Sequence, residues 1–468
     1  MAKGTWNEKN RPTIPGFYNR FKTKAKEAVN GLQGVLAMPV KANWGEVGKI
    51  VSITSLKELE DVFGKDSNYT AYKLGRVALL GNVKELLLYR LTDGQNKYGT
   101  IKLLDEDATE AIKLDTKYPT SRAFNVTIKS NILDANKKDL ILFEGAKQLL
   151  IIGLKGTQEE IISSINNNLE NDYVVASKVN ESTAALEAIV NQPLTGGNDG
   201  SKTVTNESYI KALEEFERYE IDSFALDGVN DEILQETVKA WVMKNKEQGN
   251  DFTYFTGAKE NQTVSEINEK SKSFNYENIV NVGNSCVHEG IKYTPAEVAV
   301  YIASLTASQN LKGSICNAKT IFEDVTPKLS TTEVKACLAA GTLVLDTDDK
   351  DVVVVDDVNT YKQYTDDKGE ALGFIRTINL VNTINKITSL KRKDYEGKVP
   401  NDETSRVALI CELKQVFEQL ASEGIFSEFN VEIDEELQAK AEADEFFWKW
   451  DAIYVNVMKR IYGTGYLR

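Results

Sequence analysis

The sequence predicts an α/β protein: an alternating α/β core with an inserted mostly-β domain, a small C-terminal α+β domain, and extended N- and C-terminal arms. Three observations carry that expectation. Between residues 206 and 305 helical and strand patterns alternate without a break. Between 93 and 190 six short β-prone runs follow one another with one helical candidate among them, and the chain opens on a polar, basic segment and closes on a strand-like apolar run. At 468 residues the chain has room for several domains with a core in each, and no apolar stretch is long enough to cross a bilayer.

Residues 1–26 read as the first arm. They are polar and Pro-containing, with Lys3, Lys9, Arg11, Arg20, Lys22, Lys24 and Lys26 against Glu8 alone, and they lack an apolar signal segment, which sets cytoplasmic synthesis as the expectation. The first part of the core spans 27–92. It opens with the strand GVLAMPV (34–40), followed by the helix TSLKELEDVFG (54–64), capped by Thr54 or Ser55 and burying Leu56, Leu59 and Phe63. A second helix, TAYKLGRVALLGNV, leads into a strand at KELLLYRL. The inserted domain spans 93–192, with β-prone runs TIKL, AIKLDT, FNVTIKS, DLILF, QLLIIGL and DYVVASKV and a helix at EEIISSINNNL. PLTGGNDG (193–200) closes it as an irregular, solvent-facing loop.

The second part of the core, 193–341, alternates helix 206–219, strand IDSFAL, helix 231–245, strand DFTYFTG, helix 263–272, strand ENIVNV and helix 295–305. Three capping boxes start helices: Thr263 with Glu266, Thr294 with Glu297 behind Pro295, and Ser330 with Glu333. The C-terminal domain, 342–450, begins with LVLDTDDKDVVVVDDV, two β-prone runs around a charged turn. It continues with a long helix near 373–390 and an amphipathic one at 403–422 whose stripe is Val407, Ile410, Leu413, Phe417 and Leu420.

The last segment, 451–468, reads DAIYVNVMKRIYGTGYLR. Ile453, Val455, Val457 and Ile461 share one face of an extended run that only Lys459 spoils, and a strand over 452–461 needs a sheet. The residues leave two partners open, its own domain or another copy of the chain.

Charge and motifs narrow the function. The formal net charge of −14 disfavours nucleic acid as a partner. Glu432, Asp434, Glu435, Glu436, Glu442, Asp444 and Glu445 stand against Lys440, opposite in sign to the first arm. That contrast either guides an arm onto a neighbour or marks two solvated surfaces. No strand leads into GxGxxG and no GxxxxGK[ST] occurs, so no cofactor is expected. Cys286, Cys316, Cys337 and Cys411 form no CxxC, and His288 is the single histidine, so no metal site is expected. DTDDKD has Lys350 and Asp351 where a calcium loop wants a ligand and a glycine. Cys286 and His288 share a face as a thiol and base would, but one isolated imidazole reads as structural. The enzyme alternative is an uncharacterised α/β enzyme with a β insertion.

The opening GTWNEKNRPTIPGFYNRF resembles the N-terminal arm of contractile tail sheath proteins of bacteriophages and phage-like R-type bacteriocins. KYPTSRAFNVTI (117–128) is similar to a Y-P-G-x-x-G-N segment of that family, with Thr120 and Ala123 in place of glycines. PLTGGNDG is similar to its G-G-x-D-G, and TPAEVAVYIASL to a helix preceding a joining strand. The resemblance implies a non-enzymatic subunit that polymerises as sixfold rings stacked around a tail tube protein and contracts on a baseplate signal, with a terminator protein among its partners. It implies no nucleic acid and no membrane binding by the subunit, and a final location in a virion or bacteriocin tail. It also implies that the arms add strands to a neighbour's sheet, which makes Trp6, Arg11, Phe17, Tyr18, Ile453, Val455, Val457 and Ile461 the expected contacts between subunits.

Overall fold

The computed structural model describes residues 2–5, 16–19, 34–134, 136–366 and 368–467. Trp6 and Arg11 lie outside the described residues. Phe17 and Tyr18 belong to the strand Gly16–Asn19, which pairs in parallel with Ala2–Thr5 in a two-stranded sheet separate from the others.

The core is a seven-stranded sheet in the order Thr342–Leu343, Ile279–Val282, Thr253–Gly257, Ser223–Ala225, Val35–Val40, Glu85–Arg90, Ile50–Ile53. All neighbours are parallel except the last, which runs antiparallel along Glu85–Arg90. Leu36, Met38, Leu86, Leu88, Phe255 and Val280 face the helices Thr70–Leu80 and Pro295–Ser308 in one apolar cluster. Ala37, Leu87, Phe224, Tyr254 and Ile279 face Asn206–Phe216 and Glu232–Glu247 in a second. Helices on both faces explain why the central strands are continuous apolar runs without alternation. Pro295–Ser308 is buried on nearly every side. It approaches the sheet so closely that a Cβ on Gly257 would lie 2.2 Å from the Pro295 carbonyl carbon.

All three expected capping boxes form, and Thr157 with Glu160 makes a fourth. Two expected burials differ: Leu56 is 41% exposed and Val407 49%, because each lies at the rim of its helix's apolar stripe.

The insertion folds as two sheets around a third cluster, one of order Lys147–Leu154, Lys138–Glu144, Phe124–Ser130, Ile189–Pro193 and one of order Val174–Lys178, Glu110–Thr116, Thr100–Leu104. Ile189–Pro193, which the β-prone runs do not include, is an edge strand with a bulge between Ile189 and Gln192 and Asn191 at φ 49°. Its polar second half hides the period-two signal.

The boundary expected at 342 falls inside the core. Thr342–Leu343 is an edge strand of the main sheet, and Leu345, Val352, Val354, Val358 and Ile375 pack into the first cluster. The C-terminal unit proper is built from the helices Ile375–Leu390 and Glu403–Ser422 and the antiparallel strands Phe426–Ile433 and Trp448–Tyr454, around a fourth cluster.

The terminal strand also differs from expectation. It covers Trp448–Tyr454 instead of 452–461, and its inward face carries Trp448, Trp450, Ala452 and Tyr454. Ile453 points outward and is 56% exposed. Three large rings at alternate positions bury more area than Ile453 and Val455 would, which decides the face. Phe417, fully buried, lies 5.7 Å from Phe426 and 5.2 Å from Trp450, ring to ring. Phe417→Ala should cost this unit about 3–5 kcal/mol. In hydrogen exchange the amides of Phe426–Ile433 and Trp448–Tyr454 should speed up by roughly a hundredfold or more while those of Thr253–Gly257 hold their rates.

Candidate functional site

Two regions join parts of the molecule or leave backbone open to a partner. The first is the junction between core and insertion. Arg90 ends the strand Glu85–Arg90, and its guanidinium is fully buried. One Nη donates to the Gly45 carbonyl at 2.5 Å; the other donates to the carbonyls of Pro119 at 2.8 Å and Asp199 at 3.1 Å. Three segments, one from the core loop, one from the insertion and one from the returning chain, therefore meet on one cation. Burial lowers its pKa to about 10, which leaves it charged at neutral pH.

The Asp199 carboxylate continues the network. It accepts from Tyr69 at 3.0 Å, from Ser121 at 2.5 Å and from the Ser201 amide at 2.8 Å. Burial pushes the carboxyl up, and the hydrogen bonds from Ser121, Ser201 and Tyr69 outweigh it, so it titrates below its ordinary value. Asn43 takes the Thr120 hydroxyl at 2.9 Å and the Ser121 amide at 2.8 Å. Its neighbour Trp44 leaves the core loop and packs in the insertion's cluster, 5.2 Å from the Tyr118 ring and under the Arg122 guanidinium at 4.7 Å.

Of the loop expected to face solvent, Pro193, Thr195 and Gly196 do so, Gly197 and Asn198 are partly covered, and Asp199 and Gly200 are buried in the joint. A Cβ on Gly197 would lie 2.3 Å from the Thr120 carbonyl oxygen, and Gly200 sits at φ 70° beside Thr92. KYPTSR and GGNDG, far apart in the chain, touch here.

The second region is the hairpin Phe426–Ile433 with Trp448–Tyr454. Among the described residues it is a two-stranded sheet, so each strand keeps one backbone edge without a strand partner. The chain then runs on: the Val455 amide donates to the Ile425 carbonyl at 2.9 Å, and the Val455 carbonyl accepts from Arg376 at 2.6 Å. Lys459 pairs with Asp356 and Asp357. Beyond it Ile461, Tyr462, Tyr466 and Leu467 are all more than 80% exposed. The expected contact residues do not form one face: Ile453 lies on the hairpin's outer surface, Val455 and Val457 in the crossing segment, and Ile461 in the exposed tail. Sequence reading missed Arg376, Asp356 and Asp357. Lys459 was the available signal, since a lone cation in an apolar run asks for an anion.

His288 lies edge-on to Phe322, with its two nitrogens 3.9 Å from Glu323 and Glu289. Burial pushes the Cys286 thiol far above its ordinary range, which removes the thiolate a nucleophile needs. Among the described residues no group of three His, Cys, Asp or Glu side chains is placed to hold a metal ion.

Two outcomes test the junction. Asp199 has a depressed folded pKa, so its stabilisation is complete above the ordinary 3.8 and is lost as pH falls through the lower folded value. The melting temperature of wild type should exceed that of Asp199→Asn by a constant gap from about pH 5 to 8, and the gap should shrink as pH falls further below about 4. Gly197→Ala, which forces a methyl onto a carbonyl oxygen, should cost about 1–3 kcal/mol in denaturant unfolding.

Comparison with known proteins covers the chain almost end to end. Residues 33–91 match the N-terminal region of domain III of tail sheath protein Gp18, and 92–199 the phage tail sheath protein beta-sandwich domain. Residues 202–360 match the phage tail sheath protein central domain, and 367–468 the phage tail sheath C-terminal domain. Two Bacillus subtilis (strain 168) proteins are relatives. The uncharacterized protein YqbK is 25% identical over 82% of this chain and 81% of its own, and the phage-like element PBSX protein XkdK is 24% identical over 95% of each. The crystal structure of the sheath tail protein from Desulfitobacterium hafniense shares the fold at a TM-score of 0.71 with 22% identity, across 94% of this chain and all of that one. Four sheath domain families tile the sequence in one order, and the chain belongs to the phage tail sheath proteins.

Proposed function

We propose that this chain is the polymerising subunit of a contractile tail sheath. It is made in the bacterial cytoplasm and built into stacked sixfold rings around a tail tube, between a baseplate and a terminator protein, in a virion or bacteriocin particle. Contraction of the polymer drives the tube through an envelope, with the free energy held in contacts between subunits. The observation that carries the reading is the pairing of a firmly jointed multi-domain body with a C-terminal hairpin, whose two edges lack a strand partner among the described residues, and an exposed tail. Backbone pairing supplies directional bonds of about 1 kcal/mol net each, and several per strand can hold two bodies together while they rotate.

The enzyme alternative has little to stand on. In a doubly wound sheet a substrate sits where strand order reverses, here between Val35–Val40 and Ser223–Ala225. At that point Asp227, buried, accepts from Thr70 at 2.8 Å and from Tyr209 at 2.6 Å, so protein side chains fill the place.

Removal of residues 460–468 takes away a segment whose described residues, 460–467, are all exposed. The truncated subunit should melt within a few degrees of unassembled wild type, and electron micrographs should show monomers or isolated rings where wild type gives long sheaths. Long sheaths from the truncated chain would contradict the linking role of the tail.

A further inference from the structure

We propose that Asp356, Asp357 and Arg376 form a socket that anchors the root of the C-terminal tail in its own subunit, so that the segment offered to a neighbour begins at Arg460. The inference rests on the sheath reading above and adds where the linker starts.

The segment between Tyr454 and Lys459 crosses from the C-terminal hairpin back to the core. At its near end the Tyr454 hydroxyl donates to the Leu311 carbonyl at 2.8 Å, and the Arg376 guanidinium lies 3.8 Å above the Tyr454 ring. Arg376 also holds the Val455 carbonyl at 2.6 Å and the Asn456 side chain at 3.3 Å, while its Nε donates to the Gly313 carbonyl at 3.1 Å. At the far end the Lys459 ammonium reaches Asp356 at 2.6 Å and also binds Asp357, with the Phe374 ring 4.2 Å below it.

The socket needs this lysine. Asp357 is 1% exposed and Asp356 is its chain neighbour, and two adjacent carboxylates in such a place repel unless a cation sits between them. Removing Lys459 from the site would leave that charge uncompensated, so a neighbour that pulled on the tail would meet resistance here first. Up to Lys459 covered and open side chains alternate, with Val457 and Lys459 partly buried and Met458 open, whereas Arg460 to Leu467 are all open. Among the described residues the open part of the strap is 460–467. Extended, it reaches roughly 30 Å.

The test uses the unassembled full-length subunit, so its outcome is independent of whether sheaths form. A protease specific for lysine should cut slowly after Lys459 in wild type and at least tenfold faster in the Asp356→Asn, Asp357→Asn double variant, releasing the peptide 460–468 for mass spectrometry. Equal rates in the two proteins would overturn the anchor. Amine acetylation of wild type alone gives a second readout that no folding defect can cloud. Lys459 should react at least tenfold more slowly than Lys65, whose side chain is 70% exposed. Equal labelling of the two would overturn the proposal even if truncation of 460–468 abolishes sheaths, and slow labelling would support it even if truncation leaves sheaths intact.

Discussion

A backbone edge that finds no partner in its own chain has to be met by water or by another chain. The hairpin Phe426–Ile433 with Trp448–Tyr454 presents two such edges, because among the described residues its sheet ends after two strands. A lone hairpin is marginal in water. This one persists because Phe417, Leu413 and Leu420 of the helix behind it bury its inner face, while Lys449 paired with Glu432 keeps the outer face polar. One face is fixed from behind and the edges stay available, which is the geometry for strand addition.

The remainder of the molecule behind that sheet is joined by buried contacts between its units. Arg90 ties three segments at the core–insertion junction, and Trp44 inserts a core-loop side chain into the insertion's apolar cluster. Buried charge of this kind resists piecemeal opening, since separating the segments would strand a guanidinium away from its carbonyl acceptors. On the other side of the core, Arg376 and Lys459 tie the tail's crossing segment across the boundary between core and C-terminal unit. Both joints use a long cation to reach acceptors on different segments, so folding of each unit and docking between units are energetically linked.

Much of this was legible in the sequence. Helix starts were, because Thr263–Glu266, Thr294–Glu297 and Ser330–Glu333 encode a local hydrogen-bond cycle that needs no tertiary context. The alternating core was too, since its strands are apolar runs between helices. Features decided by long-range contact were hidden. Ile50–Ile53 is four residues long and is a strand only because Glu85–Arg90 is beside it. The face that the terminal strand turns to its own domain is set by Trp448, Trp450 and Tyr454, and the two tryptophans lie before the apolar alternation, so the strand is Trp448–Tyr454 instead of 452–461. GGNDG showed glycines without showing that Gly197 must pass within contact of Thr120, a segment dozens of residues away. Lys459 was visible as an exception in an apolar face, while its partners Asp356 and Asp357 could be found only in three dimensions.

The central claim is that the open hairpin is completed by strands from other copies of the chain. A reconstruction of sheaths assembled from the purified protein, at a resolution that traces the backbone, tests it most directly. The account predicts a sheet of more than two strands around Phe426–Ile433 and Trp448–Tyr454, with at least one added strand drawn from a neighbouring subunit's tail beyond Lys459. A polymer in which that hairpin remains two-stranded and subunits touch only through side chains of their folded bodies would contradict it.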